Sequence, residues 1–250
     1  MPDTPTPAPD DALAALRRAM PIALGRFDPA AQRTGLVIVD IVNGFATVGR
    51  GPLAPPAPNA QVDRMIAEAD ALARRFAAAG WPVLATRDSH DPDRPEPPYP
   101  PHCLRGTGDD ELVPALEWLE SAPQATILPK DCINTYVGAI ETAADGSQRN
   151  RLLDWIAANR IEALLVTGIC TDICVMDFVL TLLSARNHGL TAGLRDIWVY
   201  ERACATYDLP LATAQRLGLP ETAAHPQAEA HHMGLYFMAS RGAALAGEIA

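Results

Sequence analysis

Four stretches of the chain are apolar at nearly every position: "GLVIVD" (35–40), the start of "WPVLATRDSH" (81–90), "ATILPK" (125–130) and "IEALLVTG" (161–168). Continuous aliphatic runs of that length read as strands buried on both faces rather than half-exposed ones. A fifth, "RDIWVYERA" (195–203), has the same character. Between them the period changes to three and four. "NAQVDRMIAEADALARRFAAAG" (59–80) opens on Asn59 and closes on Gly80, a helix with both stop signals. The spacing predicts further helices over 109–120, 148–160 and 172–189. In the last, Val175, Phe178, Val179 and Leu182 share a face and Asp172 stands at the N-cap. The remainder to Ala250 reads as mainly helical. Strands alternating with helices predict an α/β fold, an open, mainly parallel sheet with helices on both faces in three layers. Residues 1–33 form a Pro/Ala/Asp-rich lead with one short peripheral helix, "DDALAALRRAM", and residues 34–250 a single domain.

Composition narrows the function classes. At 250 residues with 48% apolar content, the chain can bury one full α/β core. A net charge of −10 argues against nucleic acid or an anionic membrane as partner. No apolar run approaches the length of a membrane span. Five cysteines lie dispersed at 103, 132, 170, 174 and 204, without zinc-finger or CxxC spacing. "MPDTPTPAPDD" lacks the basic and apolar parts of a secretory leader, so a reducing, cytoplasmic setting is expected.

In open parallel sheets, functional groups collect beyond the carboxyl ends of the strands. Those ends carry Asp40, then Asp88 and His90, then Lys130, and after the fourth strand Cys174. Each has an ordinary reading: Asp40 as a turn cap, His90 as a surface imidazole, Lys130 as a solvated end, Cys174 as a buried structural thiol. Cys174 also falls in a first helical turn, where free N–H groups and the helix dipole favour a thiolate. Downstream of His90, "DPDRPEPPYPP" (91–101) is too proline-rich to be helical. It leads back to His102, so Asp88, His90, Glu96 and His102 lie within one stiffened segment. Two carboxylates and two imidazoles suit zinc, iron or manganese. A charged loop without metal is the alternative.

With Asp40, Lys130 and Cys174 side by side, the chain resembles the isochorismatase-like cysteine hydrolases, and within them the nicotinamidases, the plant-type branch most of all. The resemblance spans roughly residues 35–240 and rests on "VDIVNGF", "DSHDPDRPEPPYPPHCLRGT", "LPKDCINTY" and "GICTDICVMDFVLTLLSARN". It implies an Asp40–Lys130–Cys174 triad, with the backbone N–H groups of Cys170 and Cys174 as oxyanion donors and a cis peptide at Ile169–Cys170. It also implies one divalent transition metal per chain, zinc first, on Asp88, His90 and His102. Glu96 stands where relatives have either histidine or glutamate. Phe45, Tyr99 and Tyr136 are the implied walls for a pyridine ring. Many relatives have polar residues where this chain has Val42 and Gly44.

The chemistry this implies is hydrolysis of nicotinamide to nicotinate and ammonia in NAD salvage, by a homo-oligomer. A free thiol is only a few per cent ionised at neutral pH, so it needs activation. Asp40 is expected to take the proton while Lys130 keeps Asp40 ionised and favours the thiolate. Three other readings compete: hydrolysis of another small amide such as maleamate, a ligand-binding protein without turnover, and a redox switch of Cys170 with Cys174.

Overall fold

A computed structural model describes residues 9–94, 96–191 and 193–250, so the first eight residues of the expected lead lie outside the described residues. Seven strands form one sheet: β1 (Gly25–Phe27), β2 (Thr34–Val39), β3 (Val83–Asp88), β4 (Ala125–Lys130), then β7 (Ala163–Ile169), β8 (Asp196–Ala205) and β9 (Ala244–Ile249). Their order is β1-β9-β8-β7-β2-β3-β4, and every neighbouring pair is parallel. A small antiparallel hairpin, β5 (Ile140–Thr142) with β6 (Gln148–Asn150), stands apart. Helices α3 (Ala60–Ala78), α5 (Arg151–Ala158), α6 (Cys174–Asn187) and α8 (Gln227–Ser240) cover the sheet. Shorter ones are α1 (Pro9–Ala19), α2 (Asn43–Ala46), α4 (Thr135–Gly138) and α7 (Leu211–Arg216).

Strand β2 shows why the core has two halves. All six of its residues are buried. Successive side chains leave a strand on opposite faces. Leu36 and Ile38 accordingly join the α3 side with Met65 and Phe76. Val37 and Val39 join the opposite side with Leu152, Phe178 and Leu235 of α5, α6 and α8. The three layers follow from that alternation.

The chain runs from β2 outward through β3 to β4, and from β7 outward in the other direction through β8 to β9. The β2–β7 junction is therefore the topological switch point, where a crevice opens beyond the carboxyl ends. The two backbones approach closely there. A Cβ on Gly168 (φ +134°) would lie 2.1 Å from the Val39 carbonyl oxygen, so this position excludes any side chain.

Several elements differ from the sequence expectation. The segment read as a lead supplies β1, and the last residues form β9 rather than helix. The helix expected over 109–120 is reduced to a 3₁₀ turn at Glu117–Ser121. Pro114 lacks a donor and restricts Val113, which prevents an α-helix from spanning the segment. Residues 148–150 are strand, and Asn150 instead caps α5 by accepting from Leu152 and Leu153 N–H. The hairpin they complete turns at Asp145–Gly146, with Gly146 at φ +82°, a turn pair readable in the sequence. Asp172 does not cap α6, whose N-cap is Ile173 with no side-chain hydrogen bond. No described helix is long and apolar enough to cross a membrane. All five cysteines are free thiols.

Candidate active site

Asp40 follows β2 directly and adopts a left-handed conformation, φ +53°, which aspartate tolerates better than most residues. Its fully buried carboxylate accepts from Thr86 Oγ1 at 2.7 Å and faces Lys130 Nζ at 2.8 Å through Oδ2. Oδ2 has no other partner among the described residues. Lys130 ends β4 and lies in register with Asp88 at the end of β3. Both side chains thus leave the sheet on one face, and Lys130 Nζ donates to Asp88 Oδ1 at 2.9 Å and to the Cys132 carbonyl at 2.8 Å. Lys130 Nζ thus has three oxygens within 2.9 Å, two as hydrogen-bond acceptors and Asp40 Oδ2 as an ion-pair partner.

These contacts set the electrostatics. Burial alone would pull the Lys130 ammonium down, but Asp40 and Asp88 outweigh it and hold it well above its ordinary value. Burial lifts the Asp40 carboxyl, and Asp88 adds to the rise against the opposing pull of Lys130. Lys130 thus acts on Asp40 in the expected direction, favouring the carboxylate, while burial acts against it. The Cys174 thiol is likewise pushed well up by burial, with Lys130 opposing and Asp40 and Asp88 adding. Asp88 behaves oppositely: burial raises it, yet Lys130, His102 and His90 bring it far below the usual carboxylate range.

The second cluster closes through the backbone. His90 N–H donates to Cys103 O and Arg105 N–H to His90 O, so the proline-rich loop returns to its start. The His90 and His102 rings then stand 4.6 Å apart. Asp88 Oδ2 lies 3.0 Å from His90 Nε2 and 3.1 Å from His102 Nε2, with Glu96 Oε2 3.7 Å from both. One ligand-type atom from each of Asp88, His90, Glu96 and His102 falls within 4.8 Å of the others. His102 Nδ1 is 2.8 Å from Pro100 O. Since a carbonyl only accepts, that bond places a proton on Nδ1 and turns Nε2 toward Asp88 and Glu96, so Nε2 is the nitrogen that would bind a metal. Glu96 is steered by accepting from Ile133 N–H through Oε1 at 2.7 Å. The donor set fits a divalent transition metal.

Both clusters open on one cavity. Cys174 and Cys170 line one part, Asp88, Glu96 and His102 another, and Phe45, Tyr99 and Tyr207 supply aromatic surface. Phe45 sits on α2, its ring 5.5 Å from that of His102. Tyr136 is not among the residues lining this cavity; it packs against the core beside Ile133. Tyr207 takes the third aromatic place, just past the end of β8. That strand ends at Ala205, two residues beyond the apolar run 195–203. Thr86, inside an apolar run, carried no separate signal. Val42 and Gly44 hold the 103–112 segment, Val42 by pairing with Leu112 and Gly44 by donating to Asp109 O at 2.7 Å.

The loop between β7 and α6 carries the cis Ile169–Cys170 peptide. Thr171 N–H donates to Ala205 O, and Ile173 and Val175 N–H both donate to Cys170 O. The N–H groups of Cys170 and Cys174 have no such loop carbonyl among the described residues. Asp172 turns the other way, accepting from Thr206 Oγ1 and pairing with His225.

The chain is similar to several known proteins. Nicotinamidase 1 of Arabidopsis thaliana is 54% identical over 215 residues, 86% of this chain and 86% of that protein. Among solved structures, a nicotinamidase of Bacillus subtilis superposes with a TM-score of 0.60 at 23% identity, covering 86% of this chain and 99% of that one. A pyrazinamidase of Pyrococcus horikoshii in complex with zinc gives 0.56 at 22% identity, over 85% and 98%. The isochorismatase domain matches residues 34–246, and with that extent the chain belongs to the isochorismatase family.

Proposed function

We propose that the protein is a nicotinamidase, hydrolysing nicotinamide to nicotinate and ammonia through a thioester on Cys174. The observation that carries the reading is the shared cavity, with a thiol and a metal-type donor cluster lining it between aromatic walls. The 54% identity to a plant nicotinamidase supports the same substrate. In the proposed sequence Asp40 accepts the Cys174 proton, and its raised proton affinity makes it the stronger base. The sulfur attacks the amide carbon, and the N–H groups of Cys170 and Cys174 would hold the oxyanion. Asp40 returns the proton to the departing ammonia, then takes one from the water that cleaves the thioester. Lys130, its donors occupied, stays charged throughout and fixes Asp40 against Asp88.

Asp88, His90, Glu96 and His102 would hold a divalent metal, zinc being the first candidate. When bound it supplies a Lewis-acidic position within reach of a ring nitrogen or a water. Phe45 and Tyr99 line the same space as apolar walls for a flat ring. Five free thiols accord with a reducing, cytoplasmic setting in NAD salvage.

Ammonia release from a panel of small amides tests the reading. Nicotinamide is expected to exceed benzamide, its shape-matched analogue without the ring nitrogen, by up to roughly 10⁴-fold in kcat/KM. Equal values would count against recognition of that nitrogen. Faster turnover of maleamate would move the assignment to the aliphatic amides.

A further inference from the structure

Beyond the thiol and the donor cluster, the cavity has a wall built by residues that the reaction described above does not use. Tyr207 lines it. Its ring lies on the His225 imidazole, centroids 3.8 Å apart and planes 15° from parallel. His225 Nδ1 is 2.9 Å from the Tyr207 carbonyl oxygen, and Nε2 is 2.8 Å from Asp172 Oδ2. A carbonyl and a carboxylate both only accept, so this geometry is satisfied when each ring nitrogen carries a proton. The stacked partner of Tyr207 is then an imidazolium, an arrangement that favours the ring face. Burial would lower the His225 pKa, but Asp172 and the Tyr207 carbonyl raise it overall.

Asp172 lies between Cys170 and Cys174, so one imidazole ties the aromatic wall to the nucleophile loop. The rest of that loop is braced independently. Asp172 Oδ1 accepts from Thr206 Oγ1 at 2.7 Å, and Thr171 Oγ1 pairs with His231 Nδ1 on α8 at 2.8 Å. A Cβ on Gly234 of α8 would come within 2.8 Å of Asp172 Cα, so the helix presses directly on the loop. His225 itself is held by reciprocal backbone bonds with Leu209.

We infer that Tyr207 is a specificity-determining wall for a planar ring, and that His225 is a positioning residue holding that wall and the nucleophile loop in one register through Asp172. This rests on the amidase reading. The two residues divide the work: Tyr207 acts on ring binding, and His225 acts on both binding and the geometry of the Cys170 and Cys174 amides.

Steady-state kinetics with nicotinamide and alkylation of Cys174 by iodoacetamide, followed by peptide mass, separate these roles. Iodoacetamide has no ring and needs no oxyanion donors. Tyr207→Ala is expected to raise KM about tenfold with little change in kcat, the loss of one aromatic partner, and Tyr207→Phe to restore KM to within about threefold. His225→Phe keeps a stacked ring but loses both hydrogen bonds, and is expected to lower kcat about tenfold through the displaced amides. In both Tyr207→Ala and His225→Phe the alkylation rate of Cys174 should stay within about twofold of the native rate, since neither variant alters Asp40 or Lys130. A general loosening of the site would change alkylation and kcat together, and that result overturns the positioning role. Native KM in Tyr207→Ala overturns the wall. If the native protein binds nicotinamide by calorimetry without turning it over, the amidase reading falls while weaker binding by Tyr207→Ala still upholds the wall. If it neither binds nor turns it over, both fall.

Discussion

Lys130 donates to Asp88 and the Cys132 carbonyl, pairs with Asp40 and, as an ammonium, cannot accept a proton, so the burden of base falls on Asp40 and that of nucleophile on Cys174. Cys174→Ala should lower kcat/KM on the order of 10⁴-fold or more. Cys170 is proposed to contribute only its backbone N–H, which alanine keeps, so Cys170→Ala should remain within roughly tenfold of the native enzyme. An active Cys174→Ala, measured by ammonia release, would sink the mechanism. Iodoacetamide should modify Cys174 more slowly in Asp40→Asn, because the buried thiol loses its proton acceptor. The donor cluster makes a separate claim at this scale. Purified protein should carry about one transition metal per chain, and His102→Ala should lose it together with activity, as elemental analysis of both would show. Active native protein free of metal would refute the assignment.

Among the elements, β7 and the loop after it define the site, and the tightest constraint is Gly168 against Val39. Gly168→Ala places a carbon into backbone rather than into a flexible side chain, at a φ that alanine avoids. A loss on the order of 3 kcal/mol is expected. For a chain of this size that lowers Tm by roughly 10 °C, and a calorimetric shift under 2 °C, well below that figure, would refute the close approach as described. This element was legible in advance because a fully buried strand leaves an unbroken aliphatic run. Asp40, Asp88, His90, Lys130 and Cys174 were legible as candidates for a related reason: strand ends concentrate functional groups, and four ends could be read, whereas Glu96 and His102 were read from the proline-stiffened loop. Tyr207 escaped because β8 continues two residues beyond its apolar pattern, through Cys204 and Ala205. Strand β1 has three residues and β9 reads "ALAGEI", with one β-branched residue, so neither carries a local strand signal. Their conformation is imposed by pairing across the fold. Asp172 was misread as a cap for a similar cause, since His225 and Thr206, remote in sequence, claim its carboxylate.

For the whole molecule, the far edge of the sheet decides how the domain is closed. β9 lies between β8 and β1, Leu245 and Ala246 are buried, and Phe27 of β1 packs on Trp198 with ring centroids 5.0 Å apart. Removing residues 244–250 should therefore cost on the order of 3 kcal/mol from Leu245 and the lost ladder, with Trp198 fluorescence shifted toward that of an exposed indole. An unchanged Tm and emission maximum would show that the edge contributes nothing. The same pairing has a consequence during synthesis. Of the described strands β1 leaves the ribosome first, yet its partner in this sheet, β9, follows all the others. Until then its amides have no ladder to join, and the segment around Gly25 trails from a sheet already able to assemble from β2 to β8. Ribosome-bound chains halted before residue 244 should be cut there by a protease that leaves the released protein intact, so that the final strand acts as the latch that shelters the first.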